Sequence, residues 1–534
     1  MSSCRSKKDI KELPNKILVK DLSSIHEQYN QCYLAGYYKE KDGGQGYLKL
    51  VKANSSNVDR GLFFKSNKQG YLWRRTVNDT ITTLQYGIDN SASKDETYKV
   101  QFMIEAAHKN DISVIKFSPG KYIIAVLDFH PGLEFLGTKD TWLLKKPKSG
   151  RIDRMFTSKK NQHNSNENSA LLKFTKLNID GQMKKQGKHD NYELEQQQMI
   201  FLAANKKSKG RLQVKIDSCY FKNGVSDAIM VYHNVDATIT NSTAENVFRG
   251  GIVVAGGSSS VYANNFTAFG DIHTTGIDIE VDGTGYDNNY AVDITMENIF
   301  LSGDCDIAVR EGSFYGRNII NTGPHYYFAA RYGSLTLEDS KFYSANSRKG
   351  KIRLPNNIHF KNCEFVHRCD EPNPEPLFLD ILWAVKTIKN KNQKLKFEEC
   401  KFIVEGKSCE NLTVVKSIVD DKTRENRLII DNCTFDSRTK RGVVLKRGGN
   451  VEITDSEILS DIPVDLNSSN RGGNFNYSAK LSNLKTKPGV QKKVEYKDHK
   501  DNVIVVEDNS ILQEQMKSKK GVSKAKISIK KRAN

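Results

Sequence analysis

No run of eighteen apolar residues occurs in these 534 residues, so no segment reads as a membrane-spanning helix. The nine cysteines contain no CxxC spacing, which leaves no zinc-finger pattern among them. Basic heptads and RNA-binding signatures are missing as well. The glycine pairs Gly250-Gly251 and Gly256-Gly257 suit tight corners rather than a phosphate loop. Wholesale disorder is excluded by a 37% aliphatic and aromatic content, which can build a continuous core.

Acidic residues are the minority among the charges. There are 63 Asp and Glu against 82 Lys and Arg, a net charge of +19. Two readings stand: a lysine-rich soluble surface, or attraction to a polyanion. Nucleic acid is not the expected partner, since its motifs are absent. An acidic or sulfated polysaccharide fits better.

What is present in quantity is a short recurring phrase: apolar, any, apolar, polar, polar, any, Phe. It reads VKIDSCYF (214–221), SVYANNF (260–266), DITMENIF (293–300), LTLEDSKF (335–342), IHFKNCEF (358–365), LKFEECKF (395–402), LIIDNCTF (428–435) and VEITDSEI (451–458). Self-similarity at a spacing of a few tens of residues marks a solenoid, whose units bury their apolar side only by stacking. The alternation inside each copy has period two, so the unit is a strand. Two to four short strands per coil make a parallel β-helix, and its outer face is a long shallow groove shaped for a polymer. Cys219, Cys363, Cys400 and Cys433 share one slot of the phrase, and a stack of small buried side chains is expected there rather than a metal site or disulfides.

A second strand follows each phrase: AIMVYHN (228–234), GIVVAGG (251–257), GIDIEVDG (276–283), DIAVREGS (306–313) and YFAARYGS (327–334). Taking Ile229/Val231, Ile252/Val254, Ile277/Ile279, Ile307/Val309 and Phe328/Ala330 as inward positions leaves the intervening residues outside. The third strand then presents Asp278, Glu280 and Asp282; the fourth Asp306, Ala308 and Arg310; the fifth Tyr327, Ala329 and Arg331. This alignment predicts Glu280, Arg310 and Arg331 in one column, with Asp306 diagonal to Asp278. Three carboxylates on alternate positions repel one another, a cost that Arg, a cation or a substrate must offset. Such a cluster suits glycoside hydrolysis, which needs one protonated and one ionised carboxyl. Asp278, Glu280, Asp306 and His325 are the expected catalytic groups. Arg310, Arg331, Asp304, Asp282, Tyr232 and Tyr327 are expected to bind substrate, the arginines clamping a sulfate or carboxylate and the tyrosines stacking on sugar faces. The chemistry requires no cofactor; calcium is the candidate cation for the acids.

The order of segments at the start, Gly36-Tyr37-Tyr38, Asp42-Gly43-Gly44, Trp73-Arg74-Arg75, a helix carrying YKVQFMIEAAHK and Pro119-Gly120-Lys121-Tyr122, resembles the pectate-lyase superfamily, including phage tailspikes and polysaccharide-degrading enzymes. The resemblance implies a right-handed parallel β-helix with an end-capping helix. Residues 274–283 (TTGIDIEVDG), 302–313 (SGDCDIAVREGS) and Gly323-Pro-His325 also resemble the order of polygalacturonase motifs. Position by position, this implies that Asp278 and Asp304 match motif aspartates and His325 the motif histidine. Thr275 stands where a catalytic Asp belongs, Cys305 where the second Asp belongs, and no Arg-x-Lys follows. Met1-Ser-Ser-Cys4 ahead of a polar stretch resembles a bacterial lipoprotein just after its cleaved signal, implying lipidation at Cys4 and a secreted or outer-membrane-anchored protein.

The expected organisation is therefore a polar tether (1–30), a small β-rich module (31–90), a parallel β-helix behind a capping helix (91–480), a closing strand (481–508) and a disordered basic tail (509–534). Ser93-x-x-Glu96 reads as the capping box of that helix, with Tyr98, Phe102, Met103 and Ala106 on its apolar face. A hydrolase is the leading function. A lyase of the same fold, with Arg310, Arg331 or His325 as base and a cation on Asp278, Glu280 and Asp282, and a non-catalytic glycan-binding rod are the alternatives.

Overall fold

The computed structural model describes residues 17–25, 29–158, 170–187, 194, 196–204, 210–270, 275–280, 291–345, 348–369, 377–383, 392–406, 411–419, 425–436, 438–467, 476–490, 494–496, 503–508 and 526–529. Almost every strand beyond residue 80 lies parallel to its neighbours, one coil further along the chain. Among the described residues these strands form a 14-stranded sheet and a 28-stranded sheet. The larger sheet is bent, so a typical coil contributes two strand segments to it and one to the smaller. The result is a right-handed parallel β-helix.

The bend explains the repeated phrase. Its second polar residue has a left-handed backbone in every copy: Ser218, Asn265, Asn298, Asp339, Asn362, Glu399, Asn432 and Asp455 all have φ between 48° and 57°. That conformation costs an ordinary L-residue about 1–2 kcal/mol, and Asn and Asp tolerate it best. The corner residues also bond along the rod. Asn265 donates to Asn241 at 2.9 Å, and Asn318 to Asn298 at 2.8 Å. The next residue turns inward, which is why cysteines fill that slot. Cys219, Cys363, Cys400 and Cys433 are free and at most 2% exposed, as expected. From the fourth copy onward the closing Phe packs on its counterpart in the next coil: Phe342 on Phe365 at 5.8 Å, Phe365 on Phe402 at 5.3 Å and Phe402 on Phe435 at 4.4 Å. Full burial of each such ring contributes about 1.5–3 kcal/mol.

The helix, Thr97–Lys109, closes the first coil by burying Val100, Met103, Ile104, Ala106 and Ala107. It starts later than the capping box required. The Ser93 hydroxyl bonds to Asp89, and Asp95 accepts from the Thr97 N–H at 2.9 Å. Tyr98 and Phe102 do not join the buried face; they stack together at 4.5 Å and are 73% and 39% exposed. Ahead of the helix, a five-stranded sheet packs Cys32, Leu34, Leu48, Phe64 and Trp73 against Ile17, Leu22 and Ile25. At the far end Val503–Asp508 pairs with Asn476–Ser482 but does not close the sheet. The basic tail contributes a further strand, Lys526–Ile529, to the same sheet, contrary to an entirely disordered tail.

Candidate active site

The 14-stranded sheet positions the acids. Its strands Asp227–Val231, Gly250–Val254, Thr275–Glu280, Asp304–Val309, Tyr326–Ala330 and Gly350–Pro355 lie side by side. One outward column runs Met230, Val253, Asp278, Asp306, Tyr327 and Lys351. Asp278 and Asp306 are therefore direct neighbours, about 4.8 Å apart along the ladder, and not diagonal as expected. Glu280 faces Ala308, then Ala329. The column with Arg310 and Arg331 does not form, because both arginines lie just past the ends of their strands.

The two-residue offset has a local cause. Ile277, taken as the partner of Ile307, is instead opposite Cys305, and Ile279 opposite Ile307. Cys305 is fully buried and serves as an inward residue. A register irregularity at Gly276 lets Thr275 stay opposite Asp304. A side chain at 276 would come within 2.7 Å of Leu301 Cδ2, so glycine is needed there.

Burial dominates the electrostatics. Asp278 is 6% exposed. Its carboxyl is held well above the usual carboxylate range, first by desolvation and then by the charges of Glu280, Asp306 and Asp227, against the pull of Arg249. Asp306 is pushed up to about 7 by burial, then by Asp304 and Glu280, while Lys351 and Arg348 draw it down. One Asp306 oxygen, Oδ1, is buried without a hydrogen-bond partner. Asp304 is paired with Arg348 Nη1 at 2.8 Å. His325 places Nδ1 2.9 Å from the Lys349 carbonyl, and burial keeps its imidazole below its usual range despite Asp304, so it is neutral at neutral pH.

Glu280 is exposed and bound at 3.0 Å to Arg249, which precedes the neighbouring strand one coil earlier. Arg249 also approaches Asp227, with Nε 3.9 Å from Oδ1. Asp227 was missed from the sequence. It has no exposure, accepts from Gln198 and Ser226 at 3.3 Å each, and is pushed up to about 7 by desolvation. Its signal was a lone polar residue opening the strand register, Ser226-Asp227-Ala228-Ile229. Lys351 and Arg353 were missed too. They supply a basic pair two strands beyond Asp306. Arg353 holds Asp380 at 3.1 Å.

The remaining expectations divide. Tyr327 joins the column between Asp306 and Lys351. Tyr232 stacks on His233 at 3.9 Å and edges a small outward apolar patch of Phe201, Met230 and Val253. Arg331 lies 5.6 Å from the Tyr332 ring and hydrogen-bonds Val309 through its backbone. Arg310 accepts from the Tyr332 N–H through its carbonyl at 2.8 Å. Asp282 lies outside the described residues, as does Cys4. Among the described residues no group of three or more His, Cys, Asp or Glu is arranged to hold a metal ion.

No protein-family model matches the chain, and no curated protein does. Solved structures resemble it in overall course. The A-module of mannuronan C-5 epimerase AlgE4 from Azotobacter vinelandii shares 12% identity, covering 80% of this chain and 100% of that one, with a TM-score of 0.41. The tailspike gp49 of Acinetobacter baumannii bacteriophage Fri1, a capsular polysaccharide depolymerase, shares 8% over 89% and 74% of the chains, with a TM-score of 0.40. The catalytic domain of a GH87 α-1,3-glucanase shares 11% over 86% and 85%, with a TM-score of 0.37. At such distances no residue is carried over, and the site rests on its own geometry.

Proposed function

We propose that this chain is a secreted glycoside hydrolase that cuts an anionic, carboxylated or sulfated, polysaccharide. The observation that carries the proposal is Asp278 facing Asp306 on the outer side of one sheet, both holding their protons more tightly than ordinary carboxyls. Hydrolysis of a glycosidic bond needs two carboxyls in opposite protonation states. Their surroundings separate them. Among the described residues Arg249 is the cation that draws Asp278 down, and it is shared with Glu280 and Asp227; Asp306 lies beside Tyr327 and is drawn down by Lys351 and Arg348. Asp278 is then the acid and Asp306 the base or nucleophile.

In the reaction, Asp278 gives its proton to the bridging oxygen as the bond from that oxygen to the anomeric carbon breaks. The ionised Asp306 either draws a proton from water, whose oxygen attacks that carbon, or attacks it directly and is released by water. Either way one water is consumed and one reducing end appears. Lys351 and Arg348 bring positive charge to Asp306, which suits an anionic chain. Cys369 is disulfide-bonded, a bond that persists in oxidising compartments and supports secretion.

The test is incubation with pectate, alginate, hyaluronan and heparin, reading reducing ends and ultraviolet absorbance together. New reducing ends without absorbance are expected. Absorbance rising with the reducing ends would show β-elimination, and the hydrolase assignment would fall. Binding without cleavage, unaffected by Asp278→Asn, would show a non-catalytic rod.

A further inference from the structure

The outward face of the N-terminal five-stranded sheet carries an arrangement that the catalytic reading does not use. Strands Gln31–Gly36, Gly46–Lys52, Phe63–Lys65 and Tyr71–Arg75 are antiparallel neighbours. Their inner face is the buried cluster around Leu34, Leu48 and Trp73. On the other face Tyr33 and Tyr47 are direct register partners. They are 43% and 66% exposed, with ring centroids 4.9 Å apart at 61°. Beside them Gln31 faces Lys49, Lys49 faces Arg74, and Arg74 faces Phe63 with its guanidinium 5.6 Å from that ring. Lys65 continues the row. Gln31, Lys49, Lys65 and Arg74 are exposed. The described strand residues on this face include three cations and no acid.

Adjacent exposed rings rimmed by polar residues form a contiguous patch of the kind that marks an interaction site. Two rings set edge to face offer a stepped apolar surface with hydroxyls at its rim, which suits the C–H faces of pyranoses. Separate, spaced rings would suit nucleic-acid bases better. The neighbouring lysines and arginine complement carboxylate or sulfate groups, and Gln31 offers an amide to hydroxyls. We infer that this face is a second, non-catalytic binding site for an anionic polysaccharide, anchoring the polymer near the capped end of the rod. The choice of polymer rests on the proposed function; the site itself does not need catalysis.

The experiment is affinity electrophoresis of the full chain through gels containing pectate, alginate, heparin or poly(dT). It is run in an Asp278→Asn background, so that turnover does not erode the matrix. Tyr33→Ala/Tyr47→Ala should weaken retardation by an acidic polysaccharide about tenfold, while Tyr33→Phe/Tyr47→Phe keeps most of it. Circular dichroism and sedimentation are compared for all variants. Equal retardation of the folded Ala variant and its parent overturns the inference, as does no retardation of the parent by any acidic polysaccharide. Tyrosine-dependent binding to poly(dT) alone reassigns the face to nucleic acid. A parent dimer that dissociates in the Ala variant reassigns it to self-association. If the parent with Asp278 intact cuts no polysaccharide yet its retardation depends on the tyrosines, the hydrolase assignment fails and this site stands.

Discussion

Replacing Asp306 with Asn should make the protein more stable at neutral pH while removing its activity. In the folded chain the Asp306 carboxyl titrates at about 7 against an ordinary 3.8. At about 1.4 kcal/mol per tenfold change in proton affinity, ionising it inside the fold costs up to about 4 kcal/mol. Asp306 is partly exposed, so solvent screening reduces this to about 1–2 kcal/mol. The sign follows from the raised value. The folded form holds a proton that the unfolded chain has lost, so this contribution is complete below pH 3.8 and is lost as pH rises towards about 7. The amide never ionises and keeps its stability throughout. Urea midpoints of the wild type and Asp306→Asn should therefore diverge between about pH 4 and pH 7, with the variant higher by about 1–2 kcal/mol above that range. Asp278 feels the Asp306 charge, so the difference curve reports Asp306 together with the part of the Asp278 shift that Asp306 causes. Parallel curves across the whole range, or a wild type gaining on the variant as pH rises, would refute the assignment of Asp306 as a buried, proton-retaining acid.

Further outcomes are expected of the same site and scaffold. Asp278→Asn should lower kcat by about 10²–10⁴-fold with little change in polysaccharide affinity, measured by initial rates and equilibrium binding. Lys351→Met removes a charge that draws Asp306 down; if Asp306 acts ionised, the acidic limb of the kcat/KM profile should move to higher pH. Arg249→Gln frees Glu280 and takes the nearest cation from buried Asp227, and a loss of about 1–3 kcal/mol in denaturant unfolding at alkaline pH is expected, shrinking below pH 6 where Asp227 is neutral. Asn298→Ala should cost about 1–2 kcal/mol and Asn298→Gly distinctly less, because the corner backbone is left-handed; equal losses would point to the side-chain ladder instead.

The coil was readable because its signals are local. Alternating apolar residues specify a strand face, and a polar pair such as Asn264-Asn265 specifies the corner that a left-handed residue must occupy. The cysteine slot followed from the same arithmetic. The acids at 278, 280 and 306 were found because a strand spends half its positions outside, and charge there is visible in the one-letter code. Their mutual placement was not readable. A coil-to-coil register depends on how many residues each loop consumes and on which small side chain fills the interior, and Cys305 reads equally well as an outward or inward residue. The irregularity at Gly276 supplies one residue of the two-residue offset. The helix start slipped similarly, because the Ser93 hydroxyl found Asp89 rather than the helix N-terminus.

Repetition in the sequence alone determined the β-helix, its stacked core and the presence of acids on one outer face, since each depends on residues a few positions apart. Only the tertiary structure decided that Asp278 meets Asp306, that Glu280 binds Arg249 and that Asp227 is sealed beside them. Those pairings join residues some 20 to 50 positions apart, and their proton affinities are set by how much water the assembled sheet excludes, a quantity that no stretch of sequence carries by itself.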